Sequence, residues 1–196
     1  MPERDSAYAP DDLIAEARRQ RSQVEEMAES LGEALFAQRP SSEKWSIGEC
    51  IEHLALINTI YLDAIDAAAA HAEAQGLVRA ADRRAGRHGW LGDLFVRSLE
   101  PPPRVKGGAF KPTVPTRRPK AEVIERFLAQ QDRLIRTIGE VRALDFARVR
   151  LRSPFFKPLK LSLGQAFGAM IAHNRRHIWQ AEGVLALLRT NPQDRS

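Results

Sequence analysis

The sequence predicts an all-α protein, a four-helix bundle with one long crossover between its second and third helices. Four long segments carry apolar residues at three- and four-residue steps, which is the spacing of one helix face. No strand-like alternation of useful length is present, so we expect no sheet. Each apolar stripe is too narrow to be stable alone, so the four stripes must bury one another. At 196 residues and 22.0 kDa, the chain 1–196 is expected to form one domain.

The first helix is predicted from about Asp11 to Ala37. Two acidic residues, Asp11 and Asp12, stand where the helix N-terminus favours negative charge. We expect Arg39-Pro40 to end the helix, because proline pushes the preceding residue out of the helical region. The apolar stripe consists of Leu13, Ala17, Val24, Met27, Leu31 and Leu35.

The second helix is predicted from Ser46 to about Gln75, with Gly76 as the residue that follows its C-cap. Ser46 and Glu49 have the spacing of a capping box, in which each side chain bonds the other residue's backbone amide. Cys50 lies in this helix among apolar residues and is expected to be a small core residue. The stripe consists of Ile47, Ile51, Leu54, Asn58, Tyr61 and Ile65.

The crossover is predicted over residues 76–119, with one short helix at about 90–97. It holds six of the twelve prolines, and it is expected to be more mobile than the helices. Between Gly76 and Lys120 there are eleven basic and three acidic residues, although the whole chain carries only +5. This basic segment is either an anion-binding patch or a solvated loop, and the lack of interleaved aromatic residues favours the loop over a nucleic-acid surface.

The third helix is predicted from about Lys120 to Ala143, and the fourth from a second capping box, Ser162-Leu163-Gly164-Gln165, to near Arg189. Residues 148–161 between them contain two prolines and are expected to form an irregular, tightly packed linker. The chain has no apolar run long enough to span a membrane and no apolar N-terminal leader. With a single cysteine, it is expected to be a soluble, cytoplasmic protein.

Two of the five histidines, His173 and His177, are four residues apart on the fourth helix, which places two imidazoles on one face. The intervening residues lack the glutamate of the zinc-protease helix motif, so that class is excluded. This pair alone is a weak metal signal, and a third ligand would have to come from another helix. His53 is either that ligand or an ordinary buried histidine, and His71 lies five helical turns beyond it, too far to share a site.

Two segments resemble a known superfamily. Trp45-Ser46-Ile47-Gly48-Glu49-Cys50-Ile51-Glu52-His53-Leu54 resembles the W-S-x-x-E-x-x-x-H-L start of the second helix in the DinB/YfiT-like superfamily. The segment from His173 to Gln180 resembles the H-x-x-R-H-x-x-Q pattern of that superfamily's last helix. The resemblance implies an up-down-down-up bundle and a divalent metal site of three histidines, which by position are His53, His173 and His177.

The resemblance leaves the activity open, because the superfamily is functionally mixed. It implies a metal-dependent enzyme acting on a small molecule, either a transferase that uses a low-molecular-weight thiol or a hydrolase, with zinc or nickel as the ion. The alternative is a non-enzymatic, stress-associated binding or scaffold bundle whose metal is structural. The expected partner is a small-molecule substrate, a membrane is excluded, nucleic acid is disfavoured, and a homodimer is left open. Trp45 and Trp179 are expected to pack near the mouth of the site.

Overall fold

The computed structural model describes residues 8–78, 88–103 and 109–190. In these ranges the chain forms six α-helices, one 3-10 turn at Lys111–Thr113 and a two-stranded antiparallel sheet. The helices are α1 (Pro10–Glu29), α2 (Glu33–Ala37), α3 (Ile47–Ala74), α4 (Trp90–Ser98), α5 (Lys120–Glu140) and α6 (Leu163–Thr190). The strands are β1 (Arg150–Arg152) and β2 (Lys160–Ser162). No helix among the described residues has the length and apolar character needed to cross a bilayer.

Both predicted capping boxes are present and set the starts of α3 and α6. The amide of Glu49 donates to the Ser46 hydroxyl, and the Ser46 amide donates to the Glu49 carboxylate. The same reciprocal pair joins Ser162 and Gln165. At the other end of α3, Gly76 has φ 64°, a left-handed conformation that glycine adopts at little cost, and the chain turns away there as predicted.

The four long helices run up, down, down and up, as their shared apolar clusters show. A first cluster joins the N-terminal halves of α1 and α6 to the C-terminal halves of α3 and α5. A second cluster joins the opposite halves of the same four helices. Helices α1 and α6 are therefore parallel to each other and antiparallel to α3 and α5. This confirms the predicted all-α bundle and its topology.

The first predicted helix is broken, which corrects the single span from Asp11 to Ala37. Helix α1 ends at Glu29, and a separate short helix α2 begins after Gly32. Gly32 has φ −72° and ψ 160°, an extended conformation that interrupts the helix, and Leu31 turns into the second cluster with 3% of its surface exposed. The break lets Phe36 of α2 pack beneath the start of α3.

The expectation of no sheet was also wrong in a small way. In the predicted linker and the residue that follows it, β1 and β2 pair over three residues each, with Leu151 opposite Leu161. The strands are too short for alternation to be recognised in the sequence. The short helix predicted at about 90–97 is confirmed as α4. The predicted mobility of the crossover stays a prediction, and its residues 79–87 and 104–108 lie outside the described part of the chain.

Candidate metal centre

Helices α3 and α6 bring together the three histidines that the sequence singled out. One nitrogen from each of His53, His173 and His177 lies within 4.8 Å of the other two. The ring centroids are 5.2 Å apart for His53 and His173, 4.7 Å for His53 and His177, and 4.6 Å for His173 and His177. Two of the three sit one turn apart on α6, and the third faces them from α3. The predicted juxtaposition therefore exists in the folded chain.

The hydrogen bonding of the rings leaves nitrogen atoms free to bind a ligand. The Nδ1 atom of His53 lies 2.7 Å from the backbone carbonyl of Thr113, so it carries the proton and donates it. The Nε2 atom of His53 is then an acceptor. The Nδ1 atoms of His173 and His177 are buried and have no hydrogen-bond partner. Three imidazoles with unused nitrogens form a donor set that divalent transition metals favour.

Burial keeps these imidazoles neutral at ordinary pH. His53 and His177 are 4% and 8% exposed. Burial lowers the pKa of His53, although the bond to Thr113 opposes the change. Burial, together with the nearby His53 and Arg176, lowers the pKa of His177 to about 3. The pKa of His173 is likewise lowered, by burial first and then by its two histidine neighbours. Only neutral imidazole binds metal, so the site is in its binding form at pH 7.

Trp45 forms an aromatic wall beside the histidines, as predicted. Its ring centroid lies 4.9 Å from that of His53 and 5.9 Å from that of His177, stacked on the latter. Trp179 is 47% exposed, and among the described residues its ring makes no aromatic contact with the three histidines. Trp179 follows His177 by two positions on α6, and this step turns its side chain towards solvent.

Two buried carboxylates on α3, Glu49 and Glu52, hold neighbouring segments against the site. Glu49 pairs with Arg39 in addition to its capping role, and these contacts lower its pKa even though burial opposes the change. Glu52 accepts hydrogen bonds from the amides of Thr116 and Arg117 and from the Thr116 hydroxyl. Glu52 therefore fixes the end of the crossover next to the residue that supplies the carbonyl to His53.

Glu52 and Thr113 belong to the candidate site but were not predicted from the sequence. Thr113 acts through its backbone carbonyl, which no side-chain pattern can reveal. Glu52 had a recognisable signal, because it is an acidic residue directly beside His53 on a helix that is otherwise buried there. An acidic residue at a core position needs partners.

The remaining candidates lie elsewhere or are inert. His71 is exposed, as expected for a residue far along α3 from His53. His88 contacts the Ser162 hydroxyl through Nδ1 at 2.7 Å, and its ring meets Tyr8 edge-on. Cys50 is completely buried, and burial raises the pKa of its thiol to about 12. It is a core residue, as predicted, and not a reactive thiolate.

The basic segment is partly neutralised where the structure describes it. Arg117 pairs with Glu49, and Arg118 pairs with Glu52 and Glu122. Lys120 donates to the carbonyl of Leu31. The other basic residues of the predicted patch include six that lie outside the described residues: Arg79, Arg83, Arg84, Arg87, Arg104 and Lys106. The described arginines near the site therefore serve to dock the crossover on α3.

Comparison with known proteins identifies the family. The family model of the DinB superfamily matches residues 16–181, which include α3, α5 and the three histidines. The chain belongs to the DinB superfamily. No curated protein and no solved structure matches the chain significantly. The match confirms the resemblance carried by the two histidine-containing segments, and it covers the helices that build the centre of this DinB-superfamily protein.

Proposed function

We propose that this DinB-superfamily protein binds one divalent metal ion through His53, His173 and His177 and uses it to act on a small-molecule substrate. The observation that carries the proposal is that one nitrogen from each of the three imidazoles lies within 4.8 Å of the other two. In addition, the Nδ1 atoms of His173 and His177 are buried and have no hydrogen-bond partner. Buried polar atoms are normally hydrogen-bonded, and leaving them without partners costs about 1–3 kcal/mol each. A metal ion held by the three rings would supply a partner at this point.

The donor count supports a reactive role over a structural one. Structural zinc sites usually have four protein ligands, whereas reactive sites have three and keep a position open. In the described part of the chain, this group is the one cluster of metal-binding side chains, and it has three members. Zinc and nickel both suit imidazole ligands. When bound, such an ion supplies Lewis acidity, which lowers the pKa of a coordinated water or thiol.

The protein's own residues would orient and shield the reacting groups. The carbonyl of Thr113 holds the proton of His53 on Nδ1 and so aims Nε2 at the other two rings. The indole of Trp45 covers one side of His53 and His177 and keeps water from that side. We propose a low-molecular-weight thiol as the activated group, in a transferase reaction; hydrolysis is the alternative outcome of the tests below.

Metal analysis of single alanine variants tests the site. His173→Ala and His177→Ala should each lower bound zinc or nickel from about one ion per chain to a small fraction. His71→Ala is the matched control, because it removes an exposed imidazole from the same helix as His53. Circular dichroism would confirm that all variants stay helical. Full metal occupancy in the His173→Ala and His177→Ala proteins would show that the proposed site is wrong.

Spectroscopy of the cobalt-substituted protein tests the thiol. Adding glutathione or cysteine to cobalt-loaded protein should produce a thiolate-to-cobalt charge-transfer absorption in the near ultraviolet. A thioether such as S-methylcysteine is the control, because it has no ionisable sulfur. If the absorption does not appear while cobalt stays bound, the proposed thiol-dependent transferase reaction is wrong. Hydrolysis of small ester and amide substrates is then the reaction to measure.

A further inference from the structure

The two apolar clusters of the bundle are separated by four carboxamide side chains, one from each long helix. They are Gln20 of α1, Asn58 of α3, Gln131 of α5 and Asn174 of α6, and we call them the amide layer. Each has 0% of its surface exposed. Such complete burial is unusual for asparagine and glutamine. Four occurrences on four different helices therefore call for a common explanation.

Each amide occupies a core position of its helix. It stands three or four residues from a residue of one cluster and from a residue of the other, so all three lie on one helix face. The flanking pairs are Ala17 and Val24, Leu54 and Tyr61, Phe127 and Leu134, and Met170 and Ile178. On α1, α5 and α6 the change from one cluster to the other occurs at the amide, and on α3 it occurs one residue earlier, at Ile57. The four side chains thus mark one level of the bundle, where the clusters meet.

Most of the polar atoms in the amide layer have no protein partner. The amide nitrogen of Gln20 donates to the backbone carbonyl of Ile171, which links α1 to α6 at this level. The remaining atoms, three nitrogens and four oxygens, make no hydrogen bond: Gln20 Oε1, Asn58 Nδ2 and Oδ1, Gln131 Nε2 and Oε1, and Asn174 Nδ2 and Oδ1. None of the four amides therefore bonds directly to another. Buried polar atoms are normally hydrogen-bonded, so seven unsatisfied atoms at one level need an explanation.

We propose that the amide layer is a binding site for internal water molecules that bridge the four helices. The unbonded set contains both donors and acceptors, which decides the class of ligand. A cation would satisfy only the oxygens and an anion only the nitrogens, whereas water donates and accepts. A buried water makes about three hydrogen bonds, so roughly two or three waters would satisfy the layer. The bridges would fix the level at which the helices meet, next to the histidines.

A crystal structure of the unmodified full chain, at a resolution that shows ordered water, gives the first test. We expect water within hydrogen-bond distance of at least two helices' amides, including Asn58 and Gln131. Direct side chain to side chain bonds among the four amides, with no water between them, would overturn the proposal. This measurement does not depend on the metal or on any variant folding.

Oxygen-17 magnetic relaxation dispersion of the metal-free chain gives the second test, because it counts long-lived internal water. A protein of this size holds several such waters, so the comparison between variants decides. Asn58→Leu and Gln131→Leu replace an amide by an apolar side chain of similar size and should each lower the count by about one water. Gln23→Leu is the control, because Gln23 bonds Glu182 at the surface. Equal counts in all four proteins would refute the water site, whereas the metal-binding proposal would be unaffected.

Discussion

Glu52 attaches the end of the crossover to α3, so a change at this residue should perturb the candidate site and leave the rest of the bundle intact. Glu52 is 2% exposed and accepts three hydrogen bonds from Thr116 and Arg117, at 3.0, 2.7 and 3.0 Å. It also pairs with Arg118 at 3.4 Å. Replacing it by glutamine keeps the shape, removes the charge and leaves one oxygen to accept. The variant Glu52→Gln should therefore weaken the attachment without creating a cavity.

The loss of stability expected for Glu52→Gln depends on how exposed its partners Thr116 and Arg117 are. Hydrogen bonds to a charged group contribute about 1.5–3 kcal/mol each. Thr116 and Arg117 are exposed, so water can replace part of what they lose. We expect the free energy of unfolding to fall by about 2 kcal/mol in total. For a chain of this length, that corresponds to a melting temperature lower by about 4–8 °C.

The control is Glu122→Gln, which makes the same change of charge at a residue paired with Arg118 and Arg126. Its side chain is 36% exposed, and surface ion pairs of this kind contribute about 0–1 kcal/mol. Thermal unfolding followed by circular dichroism measures both variants, and titration calorimetry with zinc measures their metal affinity. Glu52→Gln should also bind zinc about tenfold more weakly, because the segment that supplies the carbonyl to His53 is loosened. If Glu52→Gln matched Glu122→Gln in both measurements, the reasoning would be refuted.

Two further predictions concern stability. Hydrogen bonds from Arg19 and Arg175 lower the pKa of Glu16 to about 2, even though burial opposes this change. The charged carboxylate therefore stabilises the folded state above pH 4.5, the pKa in the unfolded chain. This contribution is lost as the pH falls from 4.5 towards 2. Over that pH interval, the free energy of unfolding in urea should fall by about 1 kcal/mol more for wild type than for Glu16→Gln. If the difference between the two proteins stayed constant with pH, the stabilising role of Glu16 would be contradicted. The Cβ atom added by Gly139→Ala meets no atom within 4 Å, so this helical substitution should raise the free energy of unfolding by up to about 1 kcal/mol. The Cβ atom added by Gly48→Ala would lie 2.6 Å from the buried Phe36 ring, so this variant should be less stable by about 1–3 kcal/mol. Thermal unfolding of both glycine variants checks the pair, and equal shifts would be inconsistent with this packing.

The features that could be predicted from the sequence are those that local chemistry determines. Apolar spacing gives the four long helices, and the capping boxes at Ser46 and Ser162 locate two of their starts. The break at Gly32 could not be predicted, because Leu31 and Leu35 continue the stripe and the break depends on how Leu31 enters the core. The strands β1 and β2 escape prediction because three residues are too few to show alternation.

The candidate site could be predicted only in part from the sequence, for a similar reason. The spacing of His173 and His177 reveals a shared face, but the third member depends on how α3 lies against α6 and came from the family resemblance. The amide layer appears in the sequence only as single polar residues within the apolar stripes, such as Asn58 between Leu54 and Tyr61 and Gln131 between Phe127 and Leu134. The spacing places such a residue on the core face of its own helix, but it does not show that four of them meet at one level.

The candidate centre combines a rigid part and an adjustable part. His173 and His177 are held by one helix, so their separation is set by the geometry of α6 itself. His53 is oriented instead by the carbonyl of Thr113, which belongs to the crossover and is kept in place through Glu52. A change in the crossover should therefore move one of the three proposed ligands and leave the pair on α6 unchanged. Because affinity at the proposed metal site would depend on all three rings, we expect variants at Glu52 to affect affinity more than helix content.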